Sequence, residues 1–366
     1  PARPDRVDAG HVAGTGPGWF RADLHLHGYH SHPDVPDWEH VVGHARRAGL
    51  DIVPVTEYVT TVHWDELGVV QRRHPDLLIW PGREVITYHG HVVTLGETPS
   101  TVEYRHGHRD VRIGAVQQGA LSDGALFQVA HPTSFPGEGF AHHCRGCEFT
   151  LGSDIDWDAV DTLEVITGPA VVDAATFQAP TPGLDQDLIA NPFVRTAVEL
   201  WDSLLRAGHR ITAVSGSDDK LGPGYGMTAT RIYAAELSRA AVADALRAGY
   251  AYVEARGPGS PELTMTAHTD GAGEAVFGGS LAVAADGTAD ISVTVFGAAG
   301  QELVVVRNGM EHHRVSLATD EEVHRWAGDR AAPRYEGPLG TFWRVEVHDS
   351  IGLTALGNPI FLSDGH

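Results

Sequence analysis

Short apolar segments alternate with amphipathic segments over the first two thirds of the chain. Eight apolar runs have the length and composition of buried strands, at 20–25, 52–56, 77–80, 91–95, 126–130, 162–166, 211–215 and 251–254. Helical patterns lie between several of them, at 38–48 and 193–207; in the first, Val41, Val42, Ala45 and Ala48 share one stripe. Strands that alternate with helices predict a mainly parallel α/β sheet.

A turn-rich segment at 256–261 separates this region from a tail with a different pattern. Within the tail, four segments alternate apolar and polar positions between Gly and Asn turns, at 289–296, 301–307, 313–317 and 341–349. This pattern predicts a small antiparallel β-sandwich. Because the chain is too long for one core, we expect an N-terminal arm at 1–18, an α/β domain at 19–257 and a sandwich-like β domain at 258–366.

The charge balance limits the partners of this protein. The 366 residues include 48 acidic and 26 basic side chains, a formal charge of -22. Such a charge disfavours nucleic acid and anionic membranes, and no apolar run reaches the roughly 20 residues of a transmembrane helix. We expect a small-molecule substrate, no nucleic-acid or membrane partner, and a cytoplasmic location, with secretion as the alternative.

Candidate metal ligands recur at the ends of the predicted strands. His25 and His27 come first, and their spacing of two places both imidazoles on one side of a strand end. Paired imidazoles suit zinc, or manganese or iron where oxygen ligands join them. Other ligand types follow at later strands, namely Glu84, His91, His131 and Asp218. In a β/α barrel such positions meet at one rim, where active sites form.

This ordered set resembles the PHP (polymerase and histidinol phosphatase) family from about residue 19 to 257. The family pattern is D-L-H-x-H, T-D-H, G-x-E with a following G-H, H-P and a late G-S-D-x-H. The chain has Asp23-Leu-His-Leu-His27, Gly82-Arg-Glu84, Gly90-His91, His131-Pro132 and Gly216-Ser-Asp218. It is particularly similar to the carbaryl-hydrolase-like branch, which also ends in a β domain with Asn-Pro-Ile. The resemblance implies a distorted (β/α)7 barrel with a polynuclear metal site.

The resemblance also implies a set of metal ligands. A first divalent ion is expected at His25, His27, Glu84 and Asp218, with Glu84 bridging to a second ion at His91 and His131. Two such ions, of zinc, manganese or iron, lie about 3.5 to 4 Å apart and hold a hydroxide, which is the expected nucleophile. Asp23 is expected to orient one of the imidazoles.

Two positions depart from the family pattern. The chain has Thr56-Glu57-Tyr58 for T-D-H and Gly216-Ser-Asp-Asp-Lys220 for the late motif, so both histidines that hold a third metal in relatives are absent. We therefore expect two metals. Lys220 is the only lysine in the chain. We interpret Lys220 as a catalytic ammonium in place of the third cation, with the Tyr58 phenol donating nearby. The alternatives are a loop lysine without a role and a carboxylated lysine that bridges the metals.

The remaining histidines leave alternatives open. His89 shares a strand face with His91 and is the alternative ligand. His30, His32 and Asp34 follow the first motif, either as solvated loop residues or as further contacts to metal or substrate.

The two cysteines allow three interpretations. Cys144 and Cys147 have the spacing of half a structural zinc site, which His142 or His143 would complete. Carbaryl-hydrolase-like relatives also carry a CxxC after the H-P motif, so the resemblance implies either a small zinc site of this kind or a staple of a lid. Buried or reduced thiols without a metal are the third alternative, and no catalytic role is expected for the pair.

These features predict a metal-dependent hydrolase that cleaves an ester, amide, carbamate or phosphoester bond of a small molecule. A lysine in place of a third cation lowers the positive charge of the site, which weakens the case for a dianionic phosphomonoester. A phosphoesterase proper is the first alternative. A degenerate PHP domain that binds metal or ligand without turnover is the second, motivated by the two absent histidines.

Overall fold

The computed structural model describes residues 10–105, 111–144, 146–270, 273–284, 287–330 and 337–364. The α-helices in these ranges are α1 (Trp38–Arg47), α2 (Trp64–Arg73), α3 (Ile113–Ser122), α4 (Pro192–Ala207) and α5 (Arg239–Ala248). Single 3₁₀ turns lie at Glu138–Phe140, Trp157–Ala159 and Gly257–Gly259. None of the described helices is long and apolar enough to cross a membrane.

The strands fall into two groups along the chain. The first group is β1 (Gly18–Ala22), β2 (Ile52–Tyr58), β3 (Leu78–Val85), β4 (His91–Leu95), β5 (Leu126–Ala130), β6 (Thr162–Thr167), β7 (Val171–Asp173), β8 (Leu188–Ala190), β9 (Thr212–Gly216), β10 (Ala229–Ala234) and β11 (Ala251–Glu254). The second is β12 (Glu262–Thr269), β13 (Gly273–Val276), β14 (Ser280–Ala282), β15 (Thr288–Phe296), β16 (Glu302–Arg307), β17 (Met310–Ser316), β18 (Glu321–Asp329), β19 (Thr341–His348), β20 (Leu353–Gly357) and β21 (Ile360–Ser363).

The two helices predicted from the sequence pattern, at 38–48 and 193–207, form at the expected places as α1 and α4. In α1 the buried residues are Val41, Val42 and Ala45, and the Asp37 side chain caps the helix by accepting from the backbone N–H of His40. The stripe thus packs against the sheet and fixes the connection between β1 and β2. Helix α4 begins with a proline at its first turn and ends at a glycine in the left-handed conformation, as helix termini favour.

The large sheet is mixed rather than mainly parallel. Strands β1, β2 and β3 are parallel, as are β5, β6 and β9, whereas β4 pairs antiparallel with both β3 and β5. The chain between β3 and β4 comprises only residues 86–90, which is too short for a parallel crossover. As a result β4 starts at the sheet edge where β3 ends.

Residues 23–27, directly after β1, join the two sides of this sheet. The backbone N–H of Leu24 donates to Ser215 at the end of β9 (3.2 Å), and the N–H of Thr56 in β2 donates to Leu26 (2.9 Å). The N–H of His27 donates to the carbonyl of Asp219 (3.0 Å). The first motif is therefore held between β2 and the chain after β9. A distorted seven-stranded barrel remains a prediction.

The described part of the tail contains strands and no α-helix after residue 260. Strands β13, β12, β15 and β18 form one antiparallel sheet, while β14, β21, β19 and β20 continue the large sheet through pairing of β20 with β11. Apolar side chains of both sheets share one buried cluster, including Met265, Val293, Val305, Trp343 and Val345. The domain boundary at 257/258 stays a prediction.

The Asn-Pro-Ile segment anchors the tail to the α/β region. The buried Asn358 side chain accepts from the backbone N–H of Ala213 (2.8 Å) and donates to the carbonyls of Ala213 (3.0 Å) and Ala251 (2.9 Å). One side chain thereby satisfies backbone groups of both β9 and β11, which would otherwise lie unpaired in the interior.

Candidate metal centre

The six candidate ligands lie together at one edge of the large sheet. This edge collects the carboxyl ends of β1, β3, β5 and β9 and the amino end of the antiparallel β4. All are at most 5% exposed except Asp218, whose side chain is 27% exposed; the others are His25, His27, Glu84, His91 and His131. The mixed sheet therefore brings the residues together, because reversing β4 places His91 beside Glu84.

A first group consists of His25, His27, Glu84 and Asp218. One ligand atom of each lies within 4.8 Å of those of the others. His27 Nε2 is 3.0 Å and His25 Nε2 is 3.4 Å from Asp218 Oδ1, and the same nitrogens are 3.4 and 3.6 Å from Glu84 Oε2. Two imidazole nitrogens and two carboxylate oxygens thus face a common point.

Glu84 also contacts a second pair of imidazoles through its other oxygen. Its Oε1 is 2.8 Å from His91 Nδ1 and 3.2 Å from His131 Nε2. The carboxylate therefore divides its oxygens, with Oε2 towards the first histidine pair and Oε1 towards the second. This is the arrangement expected of a carboxylate that bridges two cations.

The buried polar atoms fit a cation. Within the described part of the chain, His25 Nε2, Glu84 Oε2, His91 Nε2 and His131 Nδ1 have no hydrogen-bond partner. Buried atoms of this kind normally find one, because leaving them unpaired costs about 1 to 3 kcal/mol. Imidazole and carboxylate donors match the preferences of zinc, manganese and iron.

The charges in the cluster compensate one another. Burial lowers the pKa of His25, but the nearby carboxylates Glu164, Asp218 and Glu84 outweigh it and raise that pKa well above its ordinary value. Burial raises the pKa of Glu84, yet the charge of His25 and hydrogen bonds from His131 hold it well below its usual range. Carboxylates that stay ionised while fully buried need positive charge beside them, which a divalent cation also supplies.

Glu164 supports the cluster and was not predicted from the sequence. Its Oε1 lies 2.8 Å from His25 Nδ1 and accepts from Gln128 Nε2 (2.6 Å), while Oε2 accepts from the backbone N–H of His131 (3.0 Å). The ring of His25 is thereby oriented with Nε2 towards the candidate metal position. The signal in the sequence was an acidic residue inside the apolar strand at 162–166.

A second set of contacts connects His27 to Glu57, in the segment that replaces the family's T-D-H motif. His27 Nδ1 lies 3.0 Å from Ser31 Oγ, and the Ser31 hydroxyl donates to Glu57 Oε2. Glu57 also accepts from the backbone N–H of His30 (3.1 Å). Glu57 therefore contacts His27 through Ser31, and it is not among the residues of the first group.

Asp23 has a different place from the one expected. Its carboxylate accepts from the backbone N–H groups of Ser217 (2.8 Å), Gly226 (2.9 Å) and His25 (3.4 Å) and from no imidazole among the described residues. Burial raises the pKa of Asp23 to about 6. The expected contact to an imidazole is thus wrong, because the side chain turns towards the loop that carries Asp218.

The backbone around the candidate ligands is strained. His131 has φ 31° and Asp218 has φ 50°, both in the left-handed region that non-glycine residues seldom adopt. A Cβ at Gly216 would collide with His25, so the late motif approaches the first motif closely only because glycine precedes Ser217.

Lys220 and Tyr58 lie beside the first group. Lys220 Nζ donates to Asp218 Oδ1 (2.6 Å) and to the Asp218 carbonyl (2.8 Å), and it lies 5.6 Å from the centroid of the Tyr58 ring. The Tyr58 and His27 rings are 4.3 Å apart. Burial lowers the pKa of Lys220, but the charge of Asp218 outweighs it and raises the pKa above its ordinary value, so the ammonium form persists.

The other histidines considered from the sequence differ in whether they face the cluster. His89 is exposed whereas His91 is buried against Glu84, so only His91 faces the cluster. His30 Nε2 is 3.2 Å from Glu66, and His32 borders the cleft above the cluster.

Cys144 and Cys147 form a disulfide. The structural zinc site considered for this pair, with His142 or His143, is therefore wrong for this structure, because disulfide sulfurs are not the thiolates that zinc binds. Cys147 is 4% exposed and lies beside the candidate metal centre, where its Sγ and one nitrogen each of His91 and His131 fall within 4.8 Å of one another.

A cleft of about 640 Å³ opens onto the cluster. One wall is aromatic: Phe135 lies 4.9 Å from Phe193 and stacks on His143 at 5.0 Å, and Phe177 lies 5.9 Å from Phe193. Lys220 is the only lysine or arginine among the described lining residues. The cleft thus pairs an apolar wall with one ammonium.

No protein-family model matches the chain, and no curated protein matches it. Several solved structures are similar. A two-domain protein from Bacteroides vulgatus containing a predicted PHP-like metal-dependent phosphoesterase aligns over 99% of both chains, with 14% identity and a TM-score of 0.46. Endonuclease Q, a lesion-specific endonuclease from Pyrococcus furiosus, aligns over 63% of this chain and 56% of its own, with 16% identity and a TM-score of 0.42. An amidohydrolase from Chromobacterium violaceum aligns over 56% and 89%, with 13% identity and a TM-score of 0.35. These similar structures thus include a PHP-like metal-dependent phosphoesterase.

Proposed function

We propose that this chain is a metal-dependent hydrolase of the PHP type, of the carbaryl-hydrolase-like branch, built on a distorted seven-stranded β/α barrel. Its substrate is a small molecule with an ester, amide or carbamate bond. The division of Glu84 between His25 and His27 on one side and His91 and His131 on the other carries this proposal. A carboxylate so placed would be able to hold one cation through each of its oxygens.

Two divalent cations, when bound, lower the pKa of water and polarise the oxygen of the scissile bond. The chain's own residues supply the rest. His25, His27 and Asp218 would hold the first ion, and His91 and His131 the second. Glu164 keeps the His25 ring oriented.

Lys220 and Tyr58 are proposed to steady the substrate. Two donors of the Lys220 ammonium are used by Asp218, which leaves one for a substrate oxygen. Burial raises the pKa of Tyr58, so its phenol stays protonated and remains a donor. Both groups favour negative charge that develops on an oxygen during hydrolysis.

The composition of the cleft favours a neutral bond over a phosphomonoester. The wall of Phe135, Phe177 and Phe193 suits an apolar substituent. Among the described lining residues, Lys220 alone adds a permanent positive charge, and Asp218 neutralises much of it. Beside the proposed metal ions, a dianionic phosphate is often held by arginine forks, and no arginine is among the described residues that line this cleft.

The test is a substrate panel with the metal-loaded full chain. Chromogenic aryl esters, aryl carbamates and anilides are compared with aryl phosphomonoesters and phosphodiesters at equal concentration, and with Glu84→Gln as the inactive reference. Turnover of an ester, carbamate or anilide that disappears in Glu84→Gln supports the proposal. Faster turnover of the phosphoesters assigns the alternative activity. Two bound metals with no turnover on any substrate indicate a binding protein instead.

A further inference from the structure

The disulfide lies against the second half of the metal centre. Cys147 is 4% exposed, and its Sγ falls within 4.8 Å of ring nitrogens of His91 and His131. Cys144 and Cys147 both line the cleft. Three atoms at this mutual distance have the spacing of metal ligands, and imidazole and thiolate are both preferred by zinc.

The segment after Cys147 is tied to the loops that carry both histidines. The backbone N–H of Phe149 donates to the carbonyl of Pro132, next to His131 (2.9 Å), and that of Thr150 donates to His89 (2.7 Å). Gly90 has φ 133°, and a Cβ there would collide with Phe149. These contacts do not involve the sulfur atoms, and they hold the segment after Cys147 close to the loops of His91 and His131.

The two imidazoles also have unused donors. Each contacts Glu84 with one nitrogen, and the other nitrogen, His91 Nε2 or His131 Nδ1, is buried without a hydrogen-bond partner among the described residues. An aromatic or aliphatic partner would satisfy neither atom.

We propose that Cys147 becomes a further protein ligand at the second metal position, beside His91, His131 and Glu84, when the disulfide is reduced. This inference rests on the proposed metal-dependent function. A dithiol reductant supplies two electrons and two protons, the sulfur–sulfur bond breaks, and Cys144 and Cys147 become thiols while the reductant becomes a disulfide. The Cys147 thiol then loses its proton to water as its sulfur binds the cation, and Cys144 stays a thiol.

The oxidation state of the pair would then select the metal. With the disulfide intact, the second position offers imidazole and carboxylate donors, which suit manganese and iron as well as zinc. After reduction it offers a thiolate in addition, which favours zinc and cobalt over manganese.

The experiment uses cobalt(II) as the probe in the full-length chain. Oxidised wild type, dithiol-reduced wild type, Cys144→Ser and Cys147→Ser are loaded with cobalt without oxygen and compared by absorption spectroscopy and chelator competition. Cys144→Ser cannot form the disulfide and leaves Cys147 free, so it is matched to Cys147→Ser, which leaves only Cys144. We expect thiolate-to-cobalt charge-transfer absorption in reduced wild type and Cys144→Ser only. Because Cys147→Ser lacks a direct ligand, its affinity for cobalt at the second position should be more than about tenfold lower than that of Cys144→Ser.

The outcomes separate this inference from the proposed function. Two bound cobalt ions with no thiolate band in Cys144→Ser overturn the inference and leave the two-metal hydrolase intact. A thiolate band of equal intensity in reduced wild type and in Cys147→Ser assigns the ligand to Cys144 and also overturns it. Failure of every variant to bind cobalt overturns the proposed function itself.

Discussion

Lys220 Nζ donates to Asp218 twice, at 2.6 Å to Oδ1 and at 2.8 Å to the backbone carbonyl. The same Oδ1 lies 3.0 Å from His27 Nε2, so the ammonium and a candidate metal ligand share one carboxylate oxygen. Burial raises the pKa of Asp218, but the charge of Lys220 outweighs it and holds that pKa far below its ordinary value. The only lysine of the chain is therefore part of the charged cluster and not a free loop side chain.

Replacing Lys220 tests the role of this ammonium. Lys220→Ala should lower kcat by about 10² to 10³, the range seen when one electrostatic donor to a developing negative charge is removed. Metal content should stay at two per chain, because Asp218 keeps its contact to His27. Steady-state kinetics with elemental analysis of the same sample checks both expectations.

The conservative variant sharpens this test. Lys220→Arg should recover only part of the lost kcat, since a planar guanidinium cannot reproduce both donations to Asp218. An unchanged kcat in Lys220→Ala would show that the ammonium has no catalytic role.

Glu84 is the most informative single position for the metal count. Glu84→Gln replaces a charged bridging carboxylate by a neutral amide, so metal content should fall at both positions and activity should be lost. Elemental analysis after dialysis against trace metal measures the loss. Glu199→Gln is the control, because Glu199 is an exposed residue of α4 whose ion pair within the described part of the chain is with Arg195. Retention of two metals and normal turnover in Glu84→Gln would refute the bridging assignment.

The sequence predicted the convergence of the site better than the sheet that produces it. The six candidate ligands could be proposed because each lies at or shortly after the end of an apolar run, or opens one, and such ends meet at one edge. The reversal of β4 was missed although only residues 86–90 connect it to β3. A run of five buried residues has the same apolar pattern in a parallel and in an antiparallel strand.

The sequence pattern could not predict which side chains contact one another between different strands and loops. Glu164 reaches His25 only because β6 pairs with β5 in the register that places Gln128 opposite Thr162. Likewise Cys147 meets His91 and His131 through the path of an irregular loop, which has no periodic pattern. Local spacing could therefore suggest a zinc pair or plain thiols, but not the neighbours that surround the sulfurs.

Glu164 offers a test of how the cluster is oriented. Both of its oxygens accept hydrogen bonds, from Gln128 and the backbone of His131, so the amide of Glu164→Gln must turn an N–H towards a donor. The orientation of His25 should suffer, and metal affinity should fall by about 10- to 100-fold, as for other residues that orient metal-binding histidines. Chelator competition measures the dissociation constant. An affinity equal to that of the wild type would show that Glu164 does not orient His25.

Asn358 tests the attachment of the tail. Its side chain makes three buried hydrogen bonds to Ala213 and Ala251. Asn358→Ala leaves these backbone groups unpaired, so the free energy of unfolding should fall by about 2 to 4 kcal/mol. Denaturant unfolding of Asn358→Ala and of the wild type measures the change. Wild-type stability in Asn358→Ala would show that this anchor is dispensable.

Glu346, which lies away from the metal centre, should make the free energy of unfolding depend on pH. Burial raises its pKa, but the Arg344 guanidinium at 2.5 Å and His348 at 2.7 Å outweigh burial and lower the pKa to about 2 from an ordinary 4.5. Because the folded-state pKa is lowered, the stabilisation is complete above pH 4.5 and is lost as the pH falls towards 2. A lowering of the pKa from 4.5 to about 2 corresponds to about 3 kcal/mol. The wild type should therefore exceed Glu346→Gln in unfolding free energy at pH 6, and the difference should shrink on acidification.

Glu302→Gln, at an exposed ion pair with Arg314, is the control, and its unfolding free energy should differ from that of the wild type by a small amount that varies little with pH. A gap between wild type and Glu346→Gln that stays constant from pH 6 to pH 3 would mean that the Glu346 carboxylate does not supply this stability.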